Sequence, residues 1–176
     1  MHNMTFKTDI LKANNIVIDE HLYYVDSEYI LYPIPYVDNI LFIKDVVYYY
    51  RIGRSGQSVG IDKMKTYEGH YDKVLKSLFS FYETLGTKIT CSEAKKQYIS
   101  KIIARIIAGR IKVALSFPLK LNKKAQIMEF DGLLRYKYKD IYYANINSAV
   151  KILRKINYRT FMLISLVYKA INKFLF

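Results

Sequence analysis

The sequence has few of the residues that build disulfides and metal sites. Cys91 is the only cysteine among 176 residues, which excludes an intrachain disulfide and fits a reducing compartment. His2, His21 and His70 are scattered, and no Cys/His spacing resembles a metal site. We therefore predict no metal site within these residues.

Long apolar runs are also missing. The longest run near the C-terminus, at 161–176, is interrupted by Lys169 and Lys173 and is too short to span a bilayer by itself. The first residues lack the basic and then apolar pattern of a signal peptide. Both observations predict a cytoplasmic location.

The positive charge lies almost entirely in one part of the sequence. Residues 1–60 hold five basic and seven acidic side chains, a net charge of −2, whereas residues 61–176 hold 23 and eight, a net charge of +15. The basic region predicts an anionic partner, unless the charge serves solubility alone. Lys and Arg beside Tyr, Phe and Ile favour peripheral contact with the inner face of the membrane. Nucleic acid is the least favoured partner, because no base-reading motif accompanies the charge.

The pattern of apolar residues changes near Gly60 and suggests two domains, 1–60 and 61–176. We call residues 1–60 the head and residues 61–176 the tail. In the head, two runs of residues with high β propensity, 40–43 and 46–50, flank Lys44 and Asp45, which predicts a tight hairpin. In the tail, apolar stripes with helical spacing predict helices at 63–85 and from Thr90 to Pro118, followed by shorter helices and a final helical region. With 52% hydrophobic residues, the chain can build a core. The predicted class is α+β and mostly helical: a short hairpin followed by a bundle of amphipathic helices.

Two acidic residues stand in one of the most apolar stretches, "HLYYVDSEYILYPIPY" at 21–36. On a strand, Asp26 and Glu28 would point to one face. They could form a solvated surface pair. Alternatively, partial burial among tyrosines would raise a carboxylate pKa and suit it to general-base catalysis.

The densest glycine loop, "GRSGQSVG" at 53–60, follows the predicted hairpin. It lacks the spacing of a P-loop and could be an ordinary turn. Arg51 just before the loop and Arg54 within it, together with loop N–H groups, would also suit a phosphate.

Three segments of residues 4–60 carry a resemblance to a known family: "TFKTDILKANNI", "YVDSEY" and "YYYRIGRSGQSV". In this order they resemble the acceptor half of bacterial family 2 glycosyltransferases, which have the GT-A fold, so the predicted hairpin would be a remnant of that sheet. "YVDSEY" stands where the family has a Glu-Asp motif whose aspartate is the catalytic base. Val25 replaces the glutamate, so only Asp26 carries over.

The resemblance implies roles for further residues of the head. Glu28, Tyr24 and Tyr29 would support the base or contact the acceptor. The closing loop over the donor diphosphate would consist of Arg51, Gly53, Arg54, Gly56, Gln57 and Ser58.

The resemblance also implies transfer of a sugar from a nucleotide-sugar donor to a glycan or lipid-linked acceptor in surface polysaccharide synthesis. The donor-binding half of the family, with the Asp-x-Asp motif that holds Mg²⁺ or Mn²⁺, has no counterpart here, and the chain contains no Asp-x-Asp triplet. This chain alone would therefore hold no cofactor and be inactive, and Mg²⁺ or Mn²⁺ is expected only with the donor half. The missing donor-binding half would be explained if the chain were a truncated gene product, one half of a split enzyme or the product of a mis-assigned start. The alternatives are a non-enzymatic peripheral membrane protein and, less favoured, a nucleic-acid-binding basic protein.

Overall fold

The computed structural model describes residues 3–49, 51, 61–119 and 123–175. Within these residues the secondary structure is helical and contains no β-strand. The helices, in chain order, are α1 (Thr8–Ala13), α2 (Asp26–Leu31), a 3-10 turn (Ile34–Tyr36), α3 (Ile61–Thr66), α4 (Glu68–Thr84), α5 (Glu93–Ser116), α6 (Lys123–Lys137), α7 (Lys139–Tyr143), α8 (Ser148–Lys155) and α9 (Phe161–Leu175).

The mostly helical class is confirmed, but the predicted β-hairpin is wrong. Residues 40–43 and 46–49 have irregular, exposed backbone, and Tyr50 lies outside the described residues. The two-residue hairpin turns that match strand twist need positive φ, which Asn and Gly tolerate and a Lys-Asp pair does not favour. An isolated two-stranded hairpin is also only marginally stable. The described residues therefore contain no remnant of a sheet.

The helices of the tail begin and end close to the predicted places. The predicted helix at 63–85 is divided at Tyr67 into α3 and α4, and Gly86 follows α4 with a φ of 82° that suits glycine. Thr90 and Glu93 have the sequence spacing of a capping box but do not form one. Instead, the Ser92 hydroxyl accepts a hydrogen bond of 3.4 Å from the Lys95 amide at the start of α5.

The chain forms two compact units. The first contains the described residues of 1–54 and 69–99, and the second contains those of 55–68 and 100–176. A domain boundary at Gly60 stays a prediction from composition.

The core of the first unit is built on α4. Its apolar residues recur every three or four positions, so Val74, Leu75 and Leu78 share one face and are almost fully buried. Aromatic contacts extend this core, with the ring centroids of Tyr32 and Phe81 4.8 Å apart. The contact between Tyr32 and Phe81 connects the residue that follows α2 to α4.

The second unit combines an aliphatic core with a buried ion pair. Its fully buried residues come from several helices and include Ile103, Ile107, Ile111, Leu134 and Leu153. Beside them, the Arg154 guanidinium donates from Nε and Nη2 to the Asp131 carboxylate at 2.7–3.1 Å. It also donates to the Tyr142 carbonyl at 2.6 Å and lies 3.7 Å from the centre of that ring. One arginine thereby connects α6, α7 and α8.

Arg154→Gln tests this pair. The substitution leaves the Asp131 carboxylate buried without its cation, so we expect the free energy of unfolding to fall by about 3–5 kcal/mol. Arg159→Gln removes the same charge from an exposed site and should change it by less than about 0.5 kcal/mol. Urea unfolding followed by circular dichroism measures both. Equal effects of the two variants would show that the pair does not stabilise the fold.

Candidate functional site

The two acidic residues of the apolar stretch lie on a helix and not on a strand. Asp26 and Glu28 belong to α2, where positions two apart are rotated by about 200° around the axis. They consequently point to different sides, and the expectation of one shared face is wrong. Asp26 is exposed, whereas Glu28 is fully buried.

Glu28 is held by a backbone amide. Its Oε2 accepts a hydrogen bond of 2.9 Å from the Asp19 N–H, and its buried Oε1 has no hydrogen-bond partner among the described residues. Burial is the main cause that raises the pKa of Glu28, the bond from the Asp19 amide opposes it, and the nearby Asp19 carboxylate adds to the rise, so that the pKa is about 7. The protonated form of Glu28 is therefore well populated near neutral pH.

Asp19 connects this carboxyl group to α4. Its Oδ2 accepts a hydrogen bond of 2.8 Å from the Ser77 hydroxyl, while its amide binds Glu28. Burial raises the pKa of the Tyr32 hydroxyl, and the nearby charges of Glu28 and Asp19 raise it further. We call Asp19, Glu28 and Ser77 the Glu28 cluster.

Aromatic side chains surround the start of α2. Tyr24 precedes the helix with a φ of 74°, and its ring centroid lies 4.0 Å from that of Tyr71. Tyr29 shares a helix face with Asp26, because the two are three residues apart. The ring of Tyr29 meets Phe6 edge-on, with centroids 5.4 Å apart. An exposed carboxylate thus stands at the end of a helix with several packed rings.

A histidine holds the turn before α2. The Tyr23 amide donates to His70 Nδ1 at 3.0 Å, and the two ring centroids are 5.7 Å apart. This bond fixes the backbone just before the tight turn, in which the Ser27 amide reaches the Tyr24 carbonyl at 3.2 Å.

The predicted site residues are placed only in part. Tyr24, Asp26, Glu28 and Tyr29 come together at α2, and Arg51 is exposed. The other predicted members of the diphosphate loop lie outside the described residues: Gly53, Arg54, Gly56, Gln57 and Ser58.

Sequence reasoning missed Asp19, His70 and Ser77. Ser77 lies 58 positions from Asp19, and His70 lies 47 positions from Tyr23. No local pattern in the sequence marks either pairing.

The described residues contain no group of three or more His, Cys, Asp or Glu side chains placed to hold a metal ion. None of the helices in the same part of the chain combines the length and hydropathy that a membrane crossing requires.

Glu28→Gln tests the raised pKa. The folded-state pKa of about 7 exceeds the ordinary value of 4.5, so the folded state binds the proton more tightly. The contribution of Glu28 to stability is therefore full below pH 4.5, declines as pH rises towards 7 and stays low above it. Glutamine is neutral throughout. We expect Glu28→Gln to raise the free energy of unfolding at pH 8, by at most about 3 kcal/mol, and to have less effect at pH 5.

Thermal unfolding between pH 4.5 and 8.5 measures this difference. Glu20→Gln, at an exposed position, is the matched control and should follow the native protein at each pH. A pH-independent effect of Glu28→Gln would contradict the raised pKa.

Comparison with known proteins gives no relative for this chain. No protein-family model matches it, no curated protein matches it, and no solved structure matches it. The resemblance to glycosyltransferases accordingly rests on the sequence motifs.

Proposed function

We propose that this chain is the acceptor-side part of a family 2-like glycosyltransferase. It would supply the catalytic base for moving a sugar from a nucleotide-sugar donor to a glycan or lipid-linked acceptor in surface polysaccharide synthesis. The observation that supports this best is the exposed carboxylate of Asp26, which stands on a helix anchored from its other side.

The two carboxylates of α2 suit different roles. A general base must come within hydrogen-bond distance of the acceptor hydroxyl, so it has to be accessible. Asp26 is exposed, whereas Glu28 has no exposed surface. Glu28 therefore serves as a positioning residue, because its bond to the Asp19 amide holds the helix that carries Asp26.

Aromatic residues next to Asp26 suit a sugar acceptor. Sugar faces carry C–H groups that pack on aromatic rings. Tyr23 is 40% exposed, and Tyr24 and Tyr29 are partly exposed. These rings lie on the segment that begins α2, so an acceptor bound on them would present its hydroxyl groups near the carboxylate.

The proposed reaction is a single displacement. Asp26 takes the proton from the acceptor hydroxyl, the oxygen bonds to the anomeric carbon, and the bond from that carbon to the nucleoside diphosphate breaks with both electrons on the leaving oxygen. Arg51 and the loop after it would stabilise the diphosphate charge. The donor half, with its Mg²⁺ or Mn²⁺, would bind the nucleotide, so we expect the 176-residue chain alone to be inactive.

Asp26→Asn tests the base. The protein should first be captured by antibody from its own cells and its intact mass measured, since a mass near 20.8 kDa points to a donor half on another chain. With a panel of labelled nucleotide sugars and membrane extract as acceptor, we expect Asp26→Asn to lower transfer by about 10²- to 10⁴-fold.

Asp9→Asn removes an exposed carboxylate from α1 and should leave transfer unchanged. Full activity of Asp26→Asn would exclude Asp26 as the base. Transfer by the purified 176-residue chain alone would contradict the need for a donor half.

A second candidate function, peripheral membrane binding, is supported by α9. Four apolar residues on consecutive turns of this helix are more than half exposed: Met162, Leu163, Leu166 and Val167. An apolar stripe on a helix in a basic region is typical of segments that lie in the bilayer interface. This contact would hold the protein beside a lipid-linked acceptor.

Vesicle flotation tests the α9 stripe. We expect the chain to float with phosphatidylserine-containing vesicles and less with pure phosphatidylcholine, since anionic lipid attracts the basic region. Leu163→Glu combined with Val167→Glu should abolish flotation. Ile146→Glu, which changes an exposed apolar residue outside α9, should not. Equal flotation of all variants would show that α9 is not the contact.

A further inference from the structure

Residues 39–49, which we call the apolar segment, expose a large apolar surface. The backbone there is irregular, and none of residues 39–47 makes a backbone hydrogen bond with another described residue. Eight large apolar side chains are between 49% and 88% exposed: Ile40, Leu41, Phe42, Ile43, Val46, Val47, Tyr48 and Tyr49. Their exposed area is on the order of 1,000 Å², comparable to one side of a standard protein interface.

The composition of the apolar segment is that of a β-strand. β-branched and aromatic residues dominate it, and neither Gly nor Pro interrupts it. In an extended strand the even and odd positions would form two faces, each apolar with one charge at its centre, Lys44 on one and Asp45 on the other. Strands that are apolar on both faces are typical of sheets covered by helices on both sides.

The central charges oppose pairing between two copies of this chain. In a two-fold antiparallel pair, residues of equal parity face each other across the axis. With the axis in the middle of the segment, Lys44 would face Lys44 of the second copy, or Asp45 would face its counterpart. Like charges directly opposite are destabilising. The segment is therefore suited to a different partner.

We propose that the apolar segment binds by β-strand addition to the open sheet edge of a partner protein with helices on both faces of that sheet. The partner's backbone would supply the N–H and C=O groups, and its helices would cover the two apolar faces. It would also present an acidic side chain near Lys44 and a basic one near Asp45. Strand addition does not involve Asp26, so an experiment that excludes strand addition leaves the proposed transferase function unaffected, and the reverse is also true.

Site-specific photocrosslinking in the native cells tests the strand geometry. A photoreactive phenylalanine analogue is placed singly at Ile40, Phe42, Val47 and Tyr49, and cross-linked peptides are mapped by mass spectrometry. Phe42 and Val47 belong to opposite faces, yet both should cross-link to one partner protein. Moving the probe from Ile40 to Phe42 should move the partner's cross-linked position by about two residues along one extended stretch. The same probe at Ile146 is the matched control and should not label that stretch.

Strand addition would be overturned by cross-links that are confined to one face, spread over several proteins, or formed to lipid or to a second copy.

Amide hydrogen exchange of the purified chain is the companion measurement. We expect fast exchange at residues 39–47, and protection that does not depend on concentration would show that the segment already has backbone partners. Because the segment is exposed, the probes leave the core unchanged, which circular dichroism of each variant verifies.

Discussion

The buried carboxyl group of Glu28 is the constraint on which the arrangement of the first unit's candidate site depends. A helix of six residues is not stable by itself, so α2 must be held by its surroundings. Leu31 supplies apolar burial, but the Glu28 bond to the Asp19 amide fixes the helix against the preceding chain. A carboxyl group removed from water needs this bond, because burying it without one is costly. The exposure of Asp26 on the other side follows from this orientation.

The second unit also buries charged side chains, and there each one is paired with a side chain of opposite charge. Glu68 lies 2.6 Å from Arg110 Nη1 and 2.7 Å from Lys123 Nζ, and all three side chains are largely buried. Together with Arg154 and Asp131, these pairs show that part of the positive charge of the tail is internal. The pairs enclose three cations together with two carboxylates of residues 61–176, so they lower the net positive charge that a partner can meet by only one unit.

The local parts of the fold could be predicted from the sequence. The apolar stripe at helical spacing predicted a helix at 63–85, most of which is α4, because such a stripe depends on residues within a few positions. The absence of the hairpin could not be predicted from the sequence, because residues with high β propensity form a strand only where another strand is available to pair with it. A shared face for Asp26 and Glu28 held only for a strand, and the sequence around them carries both strand and helix signals, whereas the segment is a helix and Asp26 is exposed. Asp19 and Ser77 could not be found, because only folding brings them together.

The apolar segment has a consequence for how much of this protein a cell can maintain. Proteases bind their substrates as extended strands, and a chain that presents eight apolar side chains in irregular backbone offers them such a stretch. Copies made in excess of a partner would be degraded or would aggregate. The abundance of the chain would then follow the supply of the proposed strand-binding partner and not the rate of its own synthesis.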